Sequence, residues 1–293
     1  MDKVKCPICY TEVEERNFKE TYVSPYNNQE YKRYECPNCD VHWWEPLKII
    51  PEFYEENYVA FHERVGKRLG ENHKAFFKHF PSNVRGMLLD VGCGDGVFLR
   101  YAKEQGFEVW GIDFDKKTVE NVKINLGFDT VFAMSLEEFY EYAKEKNLKF
   151  DVITFFEVLE HQDKPREFLE MVKGLLKEGG YIAGSVPNRG LLFVEIGWEY
   201  FNWDYPPHHF LRFSKSSLEK ALNFSGFKDV EVYKVDSPLT ELCPYLEKKL
   251  CKGKAYILMM LKLIRNAILL PFALGYAGKL KENGLGLYFQ AKA

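Results

Sequence analysis

Residues 86–113 read GMLLDVGCGDGVFLRYAKEQGFEVWGID. Met87–Val91 has the pattern of a buried strand, and Gly92, Gly94 and Gly96 follow it. The next segment is apolar at Val97, Phe98, Tyr101 and Ala102 and closes at Gly106, the spacing of an amphipathic helix. EVWGID then reads as a second strand ending in Asp113. Strand, glycine turn, helix, strand and terminal acid make up the nucleotide-binding half of a doubly wound α/β sheet. The glycines let the backbone approach a ligand closely. An acid at the end of the second strand can accept hydrogen bonds from both hydroxyls of a ribose.

The rest of the chain continues the alternation. FDVITFF (150–156), KEGGYIAGSVPN (177–188), FKDVEVYKV (227–235) and LGLYFQAKA (285–293) read as further strands. Helical segments fall near 115–126, 136–147, 165–177 and 215–225, the last with Ser216 and Glu219 at capping-box spacing. The expected fold is therefore α/β, Rossmann-like, with a mainly parallel sheet whose ligands sit beyond the carboxyl ends of the strands.

The glycine spacing does not fit the dinucleotide fingerprint GxGxxG, because Val97 stands where the third glycine would fall. DVGCGDG has instead the form DxGxGxG. In this the chain resembles class I S-adenosylmethionine-dependent methyltransferases, over roughly residues 85–235 and the C-terminal strand. The resemblance implies seven strands with the last antiparallel. It places Asp90, Gly92, Cys93 and Gly94 under the methionine part of S-adenosylmethionine, Asp113 on the ribose and Phe114 beside the adenine. Phe156 and Glu157, at the end of the fourth strand, complete the cofactor set. Many relatives carry an aspartate near the adenine after the third strand; this chain has FAMSLEEF there, with Ser135 in the region.

Two CxxC pairs precede this domain, Cys6/Cys9 in KCPIC and Cys36/Cys39 in ECPNC. Two thiolates two residues apart can bind one cation from a tight turn, and two such turns supply a tetrahedral zinc site. Short aromatic and β-branched runs flank the turn-rich SPYNNQ between them, which suggests a hairpin carrying the knuckles of a zinc ribbon. His42 reads as a neighbour of the site. The seven cysteines, an odd number, fit a reducing compartment better than a disulfide framework. Residues 1–50 hold seven Lys/Arg against nine Asp/Glu, so the ribbon lacks the positive surface that a phosphate backbone requires. A structural or substrate-covering role follows.

EVLEH (157–161) follows the fourth strand. As a helical turn it would put Glu157, Glu160 and His161 on one face. NWDYPPHHF (202–210) brings His208 and His209 behind two prolines, within a run that also holds Trp198, Tyr200, Phe201, Trp203 and Tyr205. These aromatics suit either an acceptor pocket or simple packing. The combination of CPIC…CPNC, YEENY, EVLEH and PPHHFLRFS resembles a branch of zinc-ribbon methyltransferases. EVLEH also resembles the metal-using segment of ubiquinone-pathway O-methyltransferases and of small-RNA 3′-end 2′-O-methyltransferases. That likeness implies a second divalent site, Mg²⁺ or Mn²⁺, at Glu157, Glu160, His161 and His209. The other readings are His161, His208 or His209 as general base, or loop architecture alone.

The expected organisation is a zinc ribbon over 1–50, a helical linker over 51–83, and a methyltransferase domain over 84–293 with insertions near 188–213 and 238–283. The expected reaction is methyl transfer from S-adenosylmethionine to a hydroxyl or amine of a small-molecule, sugar or lipid-linked acceptor. An RNA methyltransferase reading through the ribbon and a non-catalytic cofactor-binding partner are the alternatives, and the net charge of −3 counts against nucleic acid. The N-terminus carries no apolar secretory segment, so a cytoplasmic enzyme is expected. Residues 255–278 are the most apolar stretch, interrupted by Lys262, Arg265 and Asn266 and flanked by lysines. Central charges disfavour a spanning helix. The region 245–281 suits either packing or peripheral contact with an anionic membrane face.

Overall fold

The computed structural model describes residues 4–50, 53, 69–190, 204–235 and 286–293. Near the N-terminus, β1 (Val4–Lys5) and β2 (Glu12–Val13) pair antiparallel around the first cysteine turn. A hairpin follows, β3 (Phe18–Val23) and β4 (Glu30–Glu35), closed by a turn in which Ser24 N–H donates to the Gln29 carbonyl at 2.9 Å. The second cysteine turn leads from β4 into β5 (His42–Glu45), which pairs antiparallel with β4. The SPYNNQ hairpin lies where the sequence puts it, and β5 makes the sheet larger than a hairpin.

The main sheet begins after α1 (Glu71–His79). Its parallel strands β6 (Gly86–Val91), β7 (Phe107–Asp113) and β8 (Val131–Ala133) are crossed by α2 (Val97–Glu104) and α3 (Lys116–Leu126). α4 (Leu136–Glu145) leads to β9 (Phe150–Phe156) on the other side of β6. α5 (Pro165–Leu175) leads to β10 (Leu176–Pro187), parallel to β9. After the two-residue β11 (Leu211–Arg212), α6 (Lys215–Phe224) precedes β12 (Lys228–Val235), and β13 (Gly286–Lys292) inserts antiparallel between β10 and β12. The order is β12-β13-β10-β9-β6-β7-β8, seven strands with the last in sequence reversed. The strand order reverses beside β6, where the carboxyl ends open a crevice.

Strand alternation divides the core. Leu89, Ile153 and Ile182 face one buried cluster, and their neighbours Leu88, Val152 and Ala183 face another. Both faces are therefore covered, as a parallel sheet requires. The first cluster also contains Cys6, Ile8, Trp43 and Trp44, so the N-terminal sheet shares the core of the larger one.

β11 carries this union further. It pairs antiparallel with β5, Leu211 opposite Trp43 and Arg212 opposite His42, giving a four-stranded sheet β11-β5-β4-β3. Asp40, beside Cys39, accepts from Arg189 Nη2 at 2.7 Å and Ser214 Oγ at 3.1 Å. The N-cap of α6 is Ser214, with Ser217 completing the box, instead of the Ser216 and Glu219 pair. The helix begins at 215 as expected, but its cap lies two residues before that pair, next to Phe213, which is bridged to Asn188 and accepts from Arg189 N–H at 2.7 Å.

The linker expected over 51–83 is described only at Phe53 and from residue 69 onward, and the whole of the expected insertion over 238–283 lies outside the described residues. The apolar stretch 255–278, the membrane-contact region 245–281 and Trp198, Tyr200, Phe201 and Trp203 also lie outside them. Among the described residues no helix is long and apolar enough to cross a membrane.

Candidate active site

The glycine loop is fastened at both ends. Gly92 and Cys93 donate their N–H groups to the Ile112 carbonyl at 2.8 and 3.0 Å. Gly94 N–H donates to Asp113 Oδ2 at 3.0 Å, and Asp115 N–H donates to Asp113 Oδ1 at 2.9 Å. Asp113 thus ties the loop after β6 to the start of α3. Gly92 and Gly94 have φ of +75° and +49°, a region that side chains with a Cβ disfavour. A Cβ on Gly92 would lie 2.8 Å from Val158, whereas one on Gly94 would meet nothing within 4 Å. The loop therefore leaves open space over Gly94, a cradle of the kind a nucleotide cofactor fills.

Asp90 is buried behind this loop and accepts from Thr154 Oγ1 at 2.6 Å. Burial pushes its carboxyl up to about 8. Phe114 is exposed beyond Asp113. Ser135 is engaged in capping α4: its Oγ accepts from Glu138 N–H at 3.2 Å while Glu138 Oε2 accepts from Ser135 N–H at 2.8 Å.

At the end of β9 the chain turns sharply. Glu157 takes φ +54° and its N–H donates to the Ser185 carbonyl at 2.9 Å. Its Oε1 accepts from Ser185 Oγ at 2.8 Å and from Asn72 Nδ2, on α1, at 3.1 Å. A left-handed Glu157 cannot begin a helical turn, so EVLEH is helical only as a short 3-10 turn over Leu159–His161. Burial pushes Glu157 up to about 7. Glu160 is fully buried, and burial followed by the charge of Glu157 holds its carboxyl well above the usual range.

Three imidazoles converge beside Glu160. The His161, His208 and His209 ring centroids are 4.4–4.7 Å apart, and one nitrogen from each lies within 4.8 Å of the others. His161 Nδ1 is 2.7 Å from the His208 carbonyl oxygen. A carbonyl can only accept, so Nδ1 carries the proton and Nε2 is the acceptor nitrogen. His209 Nδ1 donates to Asp204 Oδ1 at 2.9 Å, which likewise leaves Nε2 as the acceptor. Burial lowers His161 to about 4, and burial together with neighbouring imidazoles holds His208 and His209 well below the usual imidazole range. His161 Nε2 faces Glu160 Oε1 at 3.7 Å. The raised Glu160 carboxyl can hold a proton toward that nitrogen, and a cation could replace the proton.

The N-terminal cysteines form a second cluster. Cys6 and Cys39 sulfurs lie 3.5 Å apart, as do those of Cys9 and Cys36, and all four fall within 4.8 Å. Cys39 N–H points at Cys36 Sγ at 3.4 Å. Four sulfurs from two tight turns fit tetrahedral zinc. Without a cation the thiols compete for protons: the hydrogen bond with Cys36 pushes Cys6 up to about 12.

A methyltransferase-domain family model matches residues 61–232. The chain belongs to this family. It is an S-adenosylmethionine-dependent methyltransferase. The match covers the glycine loop, Asp113, EVLEH and the paired histidines. A ubiquinone biosynthesis O-methyltransferase of Bordetella avium is 26% identical over 214 residues, 68% of this chain and 81% of that one. A protein of the same name from Azoarcus sp. strain BH72 is 31% identical over 199 residues, 65% and 79% of the two chains. The solved S-adenosylmethionine-dependent methyltransferase of Mesorhizobium loti superposes with a TM-score of 0.51 over 78% of this chain and 100% of that one; at 19% identity it shows the fold alone.

In this methyltransferase His161, His208, His209 and Glu160 come together, and Glu157, held by Ser185 and Asn72, stands beside Glu160. Tyr205, one of the loop aromatics, packs on the ribbon against Tyr22 and Trp44, at 4.5 and 5.5 Å between centroids. Sequence reasoning missed Asn72, Ser185, Asp204 and Arg212. Asp204 stands five residues before His209 in the quoted loop, and a carboxylate near paired histidines was the one signal available for it.

Proposed function

We propose that this methyltransferase moves the sulfonium methyl of S-adenosylmethionine to a hydroxyl oxygen of a small molecule held against His161, His208, His209 and Glu160. The observation that carries this reading is the convergence of three imidazoles, one nitrogen from each within 4.8 Å of the others, beside the buried Glu160 carboxyl, 3.7 Å from His161 Nε2. A divalent cation suits that donor set. The imidazole share favours Mn²⁺ or a later first-row ion over Mg²⁺. When bound, such an ion would lower the pKa of a coordinated hydroxyl. The Bordetella and Azoarcus relatives are named O-methyltransferases, which agrees with an oxygen acceptor.

The chain's own groups do the remainder. The glycine loop and Asp113 hold the cofactor, with Asp113 offering carboxylate oxygens to the ribose. Glu157, fixed by Asn72 and Ser185, shapes the wall between cofactor and acceptor. The imidazole cluster orients the acceptor oxygen for in-line attack on the methyl carbon; the C–O bond forms as the C–S bond breaks, S-adenosylhomocysteine leaves, and the hydroxyl proton passes to an imidazole of the cluster. The ribbon and β11 close the site from the far side and keep bulk water out.

The test is transfer from methyl-labelled S-adenosylmethionine to a panel of small hydroxyl compounds and amines, with Mn²⁺ or with chelator. Methyl on oxygen, lost with chelator while S-adenosylhomocysteine still binds, is expected. Transfer to nitrogen alone would overturn the oxygen assignment. Chelator-insensitive transfer that disappears in His161→Ala would assign proton removal to the imidazole without an ion.

A further inference from the structure

Arg212 lies in β11 with a side chain only 4% exposed. Its Nε meets Asp204 Oδ2 at 2.9 Å, and its Nη2 donates to the Asp204 backbone carbonyl at 2.9 Å. Asp204 Oδ1 is then the oxygen that accepts from His209 Nδ1. The guanidinium is itself held, 5.4 Å over the Trp44 ring and 4.8 Å over Tyr205. Its strand is paired with β5 of the ribbon, and Trp44 N–H donates to the Phe210 carbonyl at 3.0 Å.

We propose that Arg212 is a positioning residue for methyl transfer, which acts through Asp204 to fix the tautomer and direction of His209, and that the ribbon serves the acceptor site by holding Arg212 in place. The two Asp204 oxygens have separate tasks. Oδ2 is ion-paired with the guanidinium, which turns Oδ1 toward the imidazole; a carboxylate oxygen only accepts, so the imidazole presents N–H at Nδ1. Nε2 is thereby aimed as a lone pair into the cluster. A planar fork gripping side chain and backbone at once is a geometry that lysine cannot copy. This inference rests on His209 belonging to the acceptor site.

The experiment is ring ¹⁵N–¹H correlation spectroscopy of the histidines in the full, zinc-containing chain, with S-adenosylhomocysteine and Mn²⁺ affinities measured in parallel. In the unsubstituted protein His209 is expected as one Nδ1–H tautomer. Asp204→Asn is expected to reverse it to Nε2–H, because Arg212 would take the amide oxygen and leave the NH₂ facing the ring. Arg212→Met is expected to give mixed tautomers and at least tenfold weaker Mn²⁺ binding. Arg212→Lys is expected to show a minor second tautomer and a loss under threefold. S-adenosylhomocysteine binding should stay within twofold throughout. The proposal is overturned if the Asp204→Asn and Arg212→Met spectra match the unsubstituted one while only thermal stability falls. If Arg212→Met does not fold, Arg212→Lys and Asp204→Asn decide by the same comparison. An unsubstituted protein that binds no Mn²⁺ would contradict the metal reading above and leave the tautomer comparison decisive for Arg212.

Discussion

Phe210 donates its backbone N–H to the carbonyl of Glu160 at 2.9 Å. That bond joins two segments about fifty residues apart, the turn after β9 and the loop after β10, at the place where their histidines meet. On its other side the Phe210 carbonyl accepts from Trp44 of the ribbon. The proposed acceptor site thus draws on three parts of the chain that meet at one residue.

In the proposed site Asp113 anchors the cofactor. Asp113→Asn keeps the size and replaces one acceptor oxygen with a donor that opposes either Gly94 N–H or Asp115 N–H. The dissociation constant for S-adenosylhomocysteine by calorimetry should rise about 10- to 100-fold, roughly 1.4–2.7 kcal/mol. A value within twofold of the unsubstituted protein would remove Asp113 from the cofactor site.

Asn72 and Ser185 donate to the same oxygen, Glu157 Oε1. Each alanine substitution alone should cost about 1 kcal/mol in urea unfolding. The double substitution should depart from additivity by at least about 0.5 kcal/mol, since the two bonds share one acceptor. Strict additivity would mean that the two donors do not act on one carboxylate.

Asp90 gives a pH dependence of known sign. Its carboxyl sits at about 8 in the folded chain against about 3.9 unfolded. The folded state therefore binds more protons between those values. The associated stability is fully present below about pH 4 and is lost as pH rises through about 8. From pH 5 to 7 the unsubstituted protein should lose on the order of 2–3 kcal/mol relative to Asp90→Asn. Parallel stability curves for the two proteins would refute the assignment.

Zinc in the cysteine cluster should be stoichiometric with the chain, and Cys36→Ser should abolish it. Structural zinc sites contribute on the order of 10 kcal/mol, more than a small sheet supplies alone. Limited proteolysis should then cut between β3 and β4 in the variant and spare the parent. Zinc retained by Cys36→Ser would contradict the four-sulfur site.

The glycine loop, Asp113 and the strand positions were legible because each rests on local pattern: apolar runs, glycine spacing and an acid at a strand end. The cysteine turns were legible for the same reason. The pairing of β11 with β5 was not. It joins Trp43 to Leu211 through a two-residue strand that has no periodicity of its own. The left-handed Glu157 was hidden too, since nothing in EVLEH forbids a helical turn; the Ser185 carbonyl, far along the chain, draws its N–H away. Nothing in PPHHFLRFS singles out Arg212, and only the fold shows it buried against Asp204.

The decisive measurement is metal content per chain by native mass spectrometry, after exposure to Mn²⁺ and removal of excess, for the unsubstituted protein, Cys36→Ser and His209→Ala. Two ions are expected in the unsubstituted chain, zinc alone lost in Cys36→Ser and the second ion alone lost in His209→Ala. A single zinc in the unsubstituted chain, or a second ion that persists in His209→Ala, would contradict a cation-holding imidazole cluster at the acceptor site.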